Sequence, residues 1–128
     1  MTKIEEMKAL RADPEKHYNC TQSLLIPYAE ELGITKEQAE ALGANFGSGM
    51  GCGSVCGAIT GALMVMGSLG VPVNARAELF RRFREKNGAV DCAPLLRAAA
   101  QRGEERFVHC GRMVEECMNY LEEILGKE

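Results

Sequence analysis

From Phe107 to Ile124 the apolar positions fall every three or four residues: Phe107, Cys110, Val114, Cys117, Leu121 and Ile124. A helix, with 3.6 residues per turn, gathers such a series onto one face, and that face must be buried against other elements. The spacing predicts a helix over Glu104 to Leu125. No segment shows the two-residue alternation between turn signals that marks a strand. The chain is therefore expected to be all-α: a compact bundle of about five helices, with a glycine-rich loop before a central buried helix. Its 128 residues suit one domain, 1–128. A chain of that size buries roughly two thirds of the surface its unfolded form exposes, so it needs no structural disulfides.

Caps and breakers divide the rest. Thr2 to Arg11 reads as a short helix. Asp13-Pro14-Glu15 combines a capping residue, a proline suited to the first helical position and an acid at the positive end of the dipole. It predicts a helix from Pro14 to about Leu32, ended by Gly33 and kinked at Pro27, with Cys20, Leu24 and Tyr28 at four-residue spacing. Thr35 to Gln38 fits a capping box that opens a helix to about Asn45. Gly47 to Gly53 is too glycine-rich for a helix interior. Ser54 is then expected to cap a helix over Val55 to Ser68, closed by Gly70 and Pro72. Asn74 caps Ala75 to Lys86, closed by Gly88, and Asp91 caps a short helix with Pro94 in its first turn. The uncharged stretch Ala41 to Ala75 is long enough to cross a bilayer, but glycines and Pro72 interrupt it. Its apolar part, Ala58 to Met66, suits a buried helix, and no membrane span is expected.

The net charge of −3 and the absence of a basic cluster exclude phosphate neutralisation as a binding mode, so nucleic acid is not an expected partner. Six cysteines stand out: Cys20, Cys52, Cys56, Cys92, Cys110 and Cys117. The N-terminal residues are charged and lack the apolar core of a signal peptide, which points to the cytoplasm. Thiols stay reduced there and serve metal binding or redox chemistry more often than stapling.

Cys52, Cys56 and Thr60 would share one face of a helix, beside a smooth stripe of Gly53, Gly57 and Gly61 that admits a partner backbone. A cysteine at a helix start, packed tightly against a second helix, is the expected result. The unpaired amides and dipole there favour a thiolate, although a small core residue would fit the same spacing. Cys92 is also placed near a helix start, Cys20 and Cys110 mid-helix on apolar faces, and Cys117 on the stripe of the last helix. No Cys-x-x-Cys occurs, which argues against a thioredoxin-type dithiol and common zinc ribbons. Four thiolates in one core would repel one another unless a cation or cluster compensates them, or unless they are protonated or disulfide-bonded. His17, three residues before Cys20, and His109, beside Cys110, are candidate ligands or surface residues. The glycine-rich loop fits no nucleotide-binding pattern, and the run Arg81 to Lys86 reads as a solvated helix face.

Tyr18-Asn19-Cys20, the loop Phe46 to Gly51, the core Cys56-Gly57-Ala58-Ile59-Thr60-Gly61, and the later Cys92 and Cys110 form an ordered set. In this the chain resembles the redox-active family named for its C-GCAxxG-C-C cysteine pattern, over nearly its whole length. The resemblance implies a helical fold and makes Cys20, Cys56, Cys92 and Cys110 the functional four, with Cys52 and Cys117 as extras. It favours an iron–sulfur cluster, or another thiolate-bound metal, held by those four for electron transfer with a redox partner protein. Thr21-Gln22-Ser23, where the family tends to have alanines, and Pro27 depart from the pattern and bear on the shape of the first long helix. No Cys-x-x-Cys-His is present for c-type haem. Two alternatives stay open: a metal-free thiol/disulfide redox protein, and a helical binding module whose cysteines only pack. The glycine and apolar stripes leave room for a homodimer.

Overall fold

The structure is a computed structural model that describes residues 1–126. The last two residues of the expected 1–128 unit lie outside the described residues. These form eight α-helices: α1 (Lys3–Arg11), α2 (Cys20–Leu25), α3 (Ala29–Leu32), α4 (Lys36–Gly43), α5 (Gly57–Ser68), α6 (Arg76–Asn87), α7 (Cys92–Gln101) and α8 (Arg106–Ile124). The all-α class holds, and about five helices was too few. The excess comes from punctuation: Pro27 sits in a 3-10 turn, Ile26–Tyr28, that separates α2 from α3 and makes the expected kink.

Several predicted helix starts move: Asn74 lies inside a 3-10 turn, Val73–Ala75, and does not cap α6, α8 begins two residues later than expected, and two further shifts bear on the site. The Asp13 carboxylate accepts from the backbone amides of Glu15 at 2.8 Å and Lys16 at 3.1 Å, closing a local turn instead of opening a helix. The helix begins only at Cys20. Asn19 caps it in a reciprocal box with Gln22, and the Asn19 amide also donates to the Gly43 and Ala44 carbonyls at the end of α4. These tertiary bonds decide the start, and Gln22, a departure from the family pattern, is the box's glutamine. The second start moves from Val55 to Gly57. Ser54 does not cap it, because Ser54–Cys56 lies alongside Val90–Cys92. The Cys92 amide donates to the Ser54 carbonyl at 2.6 Å and the Cys56 amide to the Val90 carbonyl at 2.8 Å. Val55 and Asp91 form the antiparallel bridge between the two segments.

The core is built where α2, α5 and α8 meet. Leu24, Leu25, Ile59, Ala62, Val65, Val114, Cys117 and Leu121 are fully buried there. Gly57 and Gly61 face α2 as expected: a Cβ on Gly57 would stand 2.7 Å from Thr21 Oγ1 and 3.2 Å from Cys20 Cβ, and one on Gly61 3.2 Å from the Thr21 carbonyl oxygen. Thr21 Oγ1 donates to the Gly57 carbonyl at 2.8 Å, so the two helices are tied where they come closest. The third glycine, Gly53, belongs to a left-handed loop that runs Ser48, Gly49, Met50, Gly51 and Gly53 through positive φ. Cys52 sits in that loop and so does not share a helical face with Cys56 and Thr60. On α8 the apolar stripe is buried from Met113 to Leu121, but Phe107 at its start is 58% exposed. Among the described residues no helix is long and apolar enough to cross a membrane.

Gly57→Ala should destabilise the fold by about 1–3 kcal/mol through overpacking against Thr21 and Cys20. Gly67→Ala, later in the same helix and with nothing within 4 Å of its added Cβ, should be neutral or stabilising by up to about 1 kcal/mol. Denaturant unfolding of the two variants checks the pair. Equal effects would contradict the close approach of α2 and α5.

Candidate functional site

Cys20, Cys56, Cys92 and Cys110 all line one pocket of about 380 Å³. Each arrives by a different route. Cys20 is the first residue of α2, directly after the Asn19 cap. Cys56 occupies the cap position of α5, and Cys92 is the first residue of α7. The bridge couples those two: Cys56 and Cys92 each follow a paired residue, Val55 and Asp91, so both lie on one side of it. Cys110 comes from the second turn of α8. Cys20, expected mid-helix, thus stands at a helix start. Leu95, Leu96, Phe107 and Met113 supply apolar wall, and Arg11 and Arg106 supply charge.

The other candidates fall elsewhere. Cys117 is fully buried and off the pocket wall, and Cys52 is exposed, its thiol directed at the Gly49 carbonyl at 3.4 Å. His17 is exposed in the non-helical run before Asn19 and shares no helix with Cys20. His109 is 3% exposed and lines the pocket. Its Nδ1 lies 3.5 Å from the Glu104 carboxylate and has no hydrogen-bond partner among the described residues. Burial pushes the imidazole's pKa down, so it is neutral at pH 7. Arg112 and Arg102 hold the Glu104 carboxyl well below its ordinary value.

The four thiols differ in acidity. The Cys20 S–H donates to Cys110 sulfur, and this bond is the main reason the Cys110 pKa falls to about 6. Burial opposes that fall, while the Arg11 and Arg106 guanidinium groups reinforce it. The same bond, with burial, pushes the Cys20 pKa well up. For Cys56 the helix start favoured a thiolate and tight packing a small core residue, and the burial of Cys56 supports the second. Burial raises its pKa to about 11, outweighing the Ala58 and Ile59 amides at the start of α5. Burial also raises Cys92 and Cys117. The site therefore holds one acidic thiol hydrogen-bonded to one protonated thiol, with two further protonated thiols on the same pocket.

Sequence reasoning missed Arg11, Arg106 and Phe107 as pocket residues. Arg106 had a signal, since it precedes Cys110 by one helical turn. Arg11 had none, because α1 brings it from nearly a hundred residues away. Its guanidinium donates to the Phe107 carbonyl at 3.0 Å and stacks 4.5 Å from the Phe107 ring centroid. Gly111 leaves room for it, since a Cβ there would stand 3.2 Å from Arg11 Nε.

The resemblance implied a metal held by the four pocket cysteines. Among the described residues no group of three or more His, Cys, Asp or Glu side chains is disposed to hold a metal ion. Lining a common pocket is a weaker condition than coordination, which needs the sulfurs to converge at bonding distance on one point.

The model of the family described as "Putative redox-active protein (C_GCAxxG_C_C)" matches residues 18–124. The chain belongs to this family. No curated protein and no solved structure matches it. The family match spans all four pocket cysteines and the Val55–Asp91 bridge that precedes Cys56 and Cys92, and leaves out Arg11 on α1.

Alkylation of Cys110 by neutral iodoacetamide, followed by peptide mass spectrometry, should be half-maximal near pH 6. An ordinary cysteine would give about 8.5. The rate falls as pH drops through that value, because the thiol is the unreactive form. Cys20→Ala removes the donated S–H and should move the midpoint up. An ordinary profile in the wild-type protein would contradict the hydrogen-bonded pair.

Proposed function

We propose that this member of the redox-active family works as a metal-free thiol/disulfide protein, with Cys110 as the attacking thiolate and Cys20 as the resolving thiol. One observation carries the reading: Cys110, half-buried, shares a pocket wall with Cys20, Arg11 and Arg106, and its interaction with the Cys20 thiol lowers the pKa of Cys110 while raising that of Cys20. A thiolate is the nucleophile of disulfide exchange, and an acidity near ambient pH suits the attacking group.

The cycle balances in two exchanges. Cys110 thiolate attacks one sulfur of a substrate disulfide; a mixed disulfide forms and the first substrate thiolate leaves, taking up a proton. Cys20 then loses its proton and attacks the Cys110 sulfur. The mixed disulfide breaks, the second substrate thiol departs, and a Cys20–Cys110 disulfide remains. The substrate gains the two electrons that the pair loses, and a dithiol reductant reverses the change on the protein. Both sulfurs line the same pocket, and closing the disulfide brings them to the roughly 2.05 Å of an S–S bond. Cys56 and Cys92, protonated on the same pocket, form a second dithiol within the site.

With 2-hydroxyethyl disulfide, Cys20→Ser should stop at a mixed disulfide on Cys110. The wild-type protein should go on to the Cys20–Cys110 disulfide, and Cys110→Ser should leave the pocket unreacted. Intact and peptide mass spectrometry separates the three. Iron and acid-labile sulfide in anaerobically prepared protein, lost on replacing the four pocket cysteines, would overturn this reading in favour of a cluster.

A further inference from the structure

The pocket walls carry a charge opposite to that of the chain. The protein is net −3, yet among the described residues Arg11 and Arg106 are the charged side chains, apart from the thiols, that line the pocket, and no Asp, Glu or Lys joins them. The other arginines of the neighbourhood, Arg102 and Arg112, are paired with Glu104. Arg11 and Arg106 have no carboxylate partner among the described residues, and both are held by neutral groups. Arg11 donates to the Phe107 carbonyl and to Ser23 Oγ at 3.5 Å, and stacks on the Phe107 ring. Arg106 donates to Ser48 Oγ at 2.6 Å. Two guanidinium groups fixed beside a pocket without a compensating carboxylate leave a positive field even when Cys110 is a thiolate, one charge against two.

We propose that Arg11 and Arg106 form an anion subsite, and that the substrate of this pocket is a small disulfide bearing carboxylates. The inference rests on the thiol/disulfide reading above and adds the substrate's chemical class to it. Three features besides charge fit. The volume, about 380 Å³, lies in the lower part of the roughly 300–1,000 Å³ range of small-molecule pockets. Leu95, Leu96, Phe107 and Met113 offer apolar wall for short methylene chains. Cys110, the attacking sulfur, is only partly exposed within that pocket, a setting that a slim molecule enters more easily than the disulfide of a folded protein. Guanidinium forks match carboxylates in geometry as well as in charge. A bound carboxylate would also sit close to the sulfur under attack, orienting the S–S bond toward Cys110.

The test uses three disulfides of nearly equal length and different charge on the intact chain: 3,3'-dithiodipropionate (dianion), 2-hydroxyethyl disulfide (neutral) and cystamine (dication). The second-order rate constant for oxidation of the Cys20–Cys110 pair is measured for each. Ratios between substrates are read, because a change in the thiolate fraction of Cys110 affects all three alike and cancels. The dianion should react roughly tenfold faster than the neutral compound, as expected for charge-assisted bonds, with the dication slowest. That preference should shrink in Arg106→Gln, in Arg11→Gln, and in wild-type protein at 1 M salt, where exposed charges are screened. The salt arm needs no variant, so a misfolded Arg11→Gln does not spoil the test. Equal rates for all three compounds would overturn the anion subsite and leave the thiol chemistry standing. Failure of even the neutral disulfide to oxidise the pair would instead overturn the underlying reading.

Discussion

The contact between Thr21 and Gly57 governs the rest of the molecule. Gly57 lacks a side chain where Thr21 and Cys20 press against it, and Thr21 spends its hydroxyl on the Gly57 carbonyl. Two helices can then lie closer than side chains would otherwise allow. Because Cys20 precedes Thr21 and Cys56 precedes Gly57, the same contact brings two thiols to the end of the α2–α5 pair. The polar pairing inside a dry core is satisfied, so it adds specificity without an unpaired group.

The second constraint is the short bridge of Ser54–Cys56 with Val90–Cys92. It contributes only two hydrogen bonds, too little to form a sheet. Its effect is positional, since it ends one helix's approach and starts another's with both cysteines on one side. Three of the four pocket thiols therefore stand at helix starts, where backbone amides point outward. Those amides were expected to make thiolates. The buried position of Cys56 reverses the sign, because removing a charge from water costs more than two amides return. Acidity appears instead at Cys110, which is partly exposed, interacts with the protonated Cys20 thiol and lies beside two arginines. The pocket thus divides its labour: one thiol is poised to react, and three are kept neutral.

Local signals determined a good deal. The three-four periodicity of α8, the capping box at Thr35 and Gln38, the kink at Pro27 and the lack of strand alternation made the helical class legible, because each depends on residues within a turn of one another. The ordered cysteine pattern made the family legible. The starts of α2 and α5 were misjudged because bonds from distant segments, Gly43 and Ala44 to Asn19 and Val90 to Cys56, outcompeted the local candidates Asp13 and Ser54.

What only the tertiary structure decided is which thiol is acidic and what surrounds it. Burial, the Cys20–Cys110 hydrogen bond and the approach of Arg11 across nearly the whole chain length are properties of packing, and no spacing rule encodes them. The sequence by itself determined the all-helical class and, through the family's ordered pattern, singled out the four sulfurs that line the pocket. Folding set their unequal charges, because acidity depends on the dielectric and the neighbours at each sulfur and not on its place in the chain.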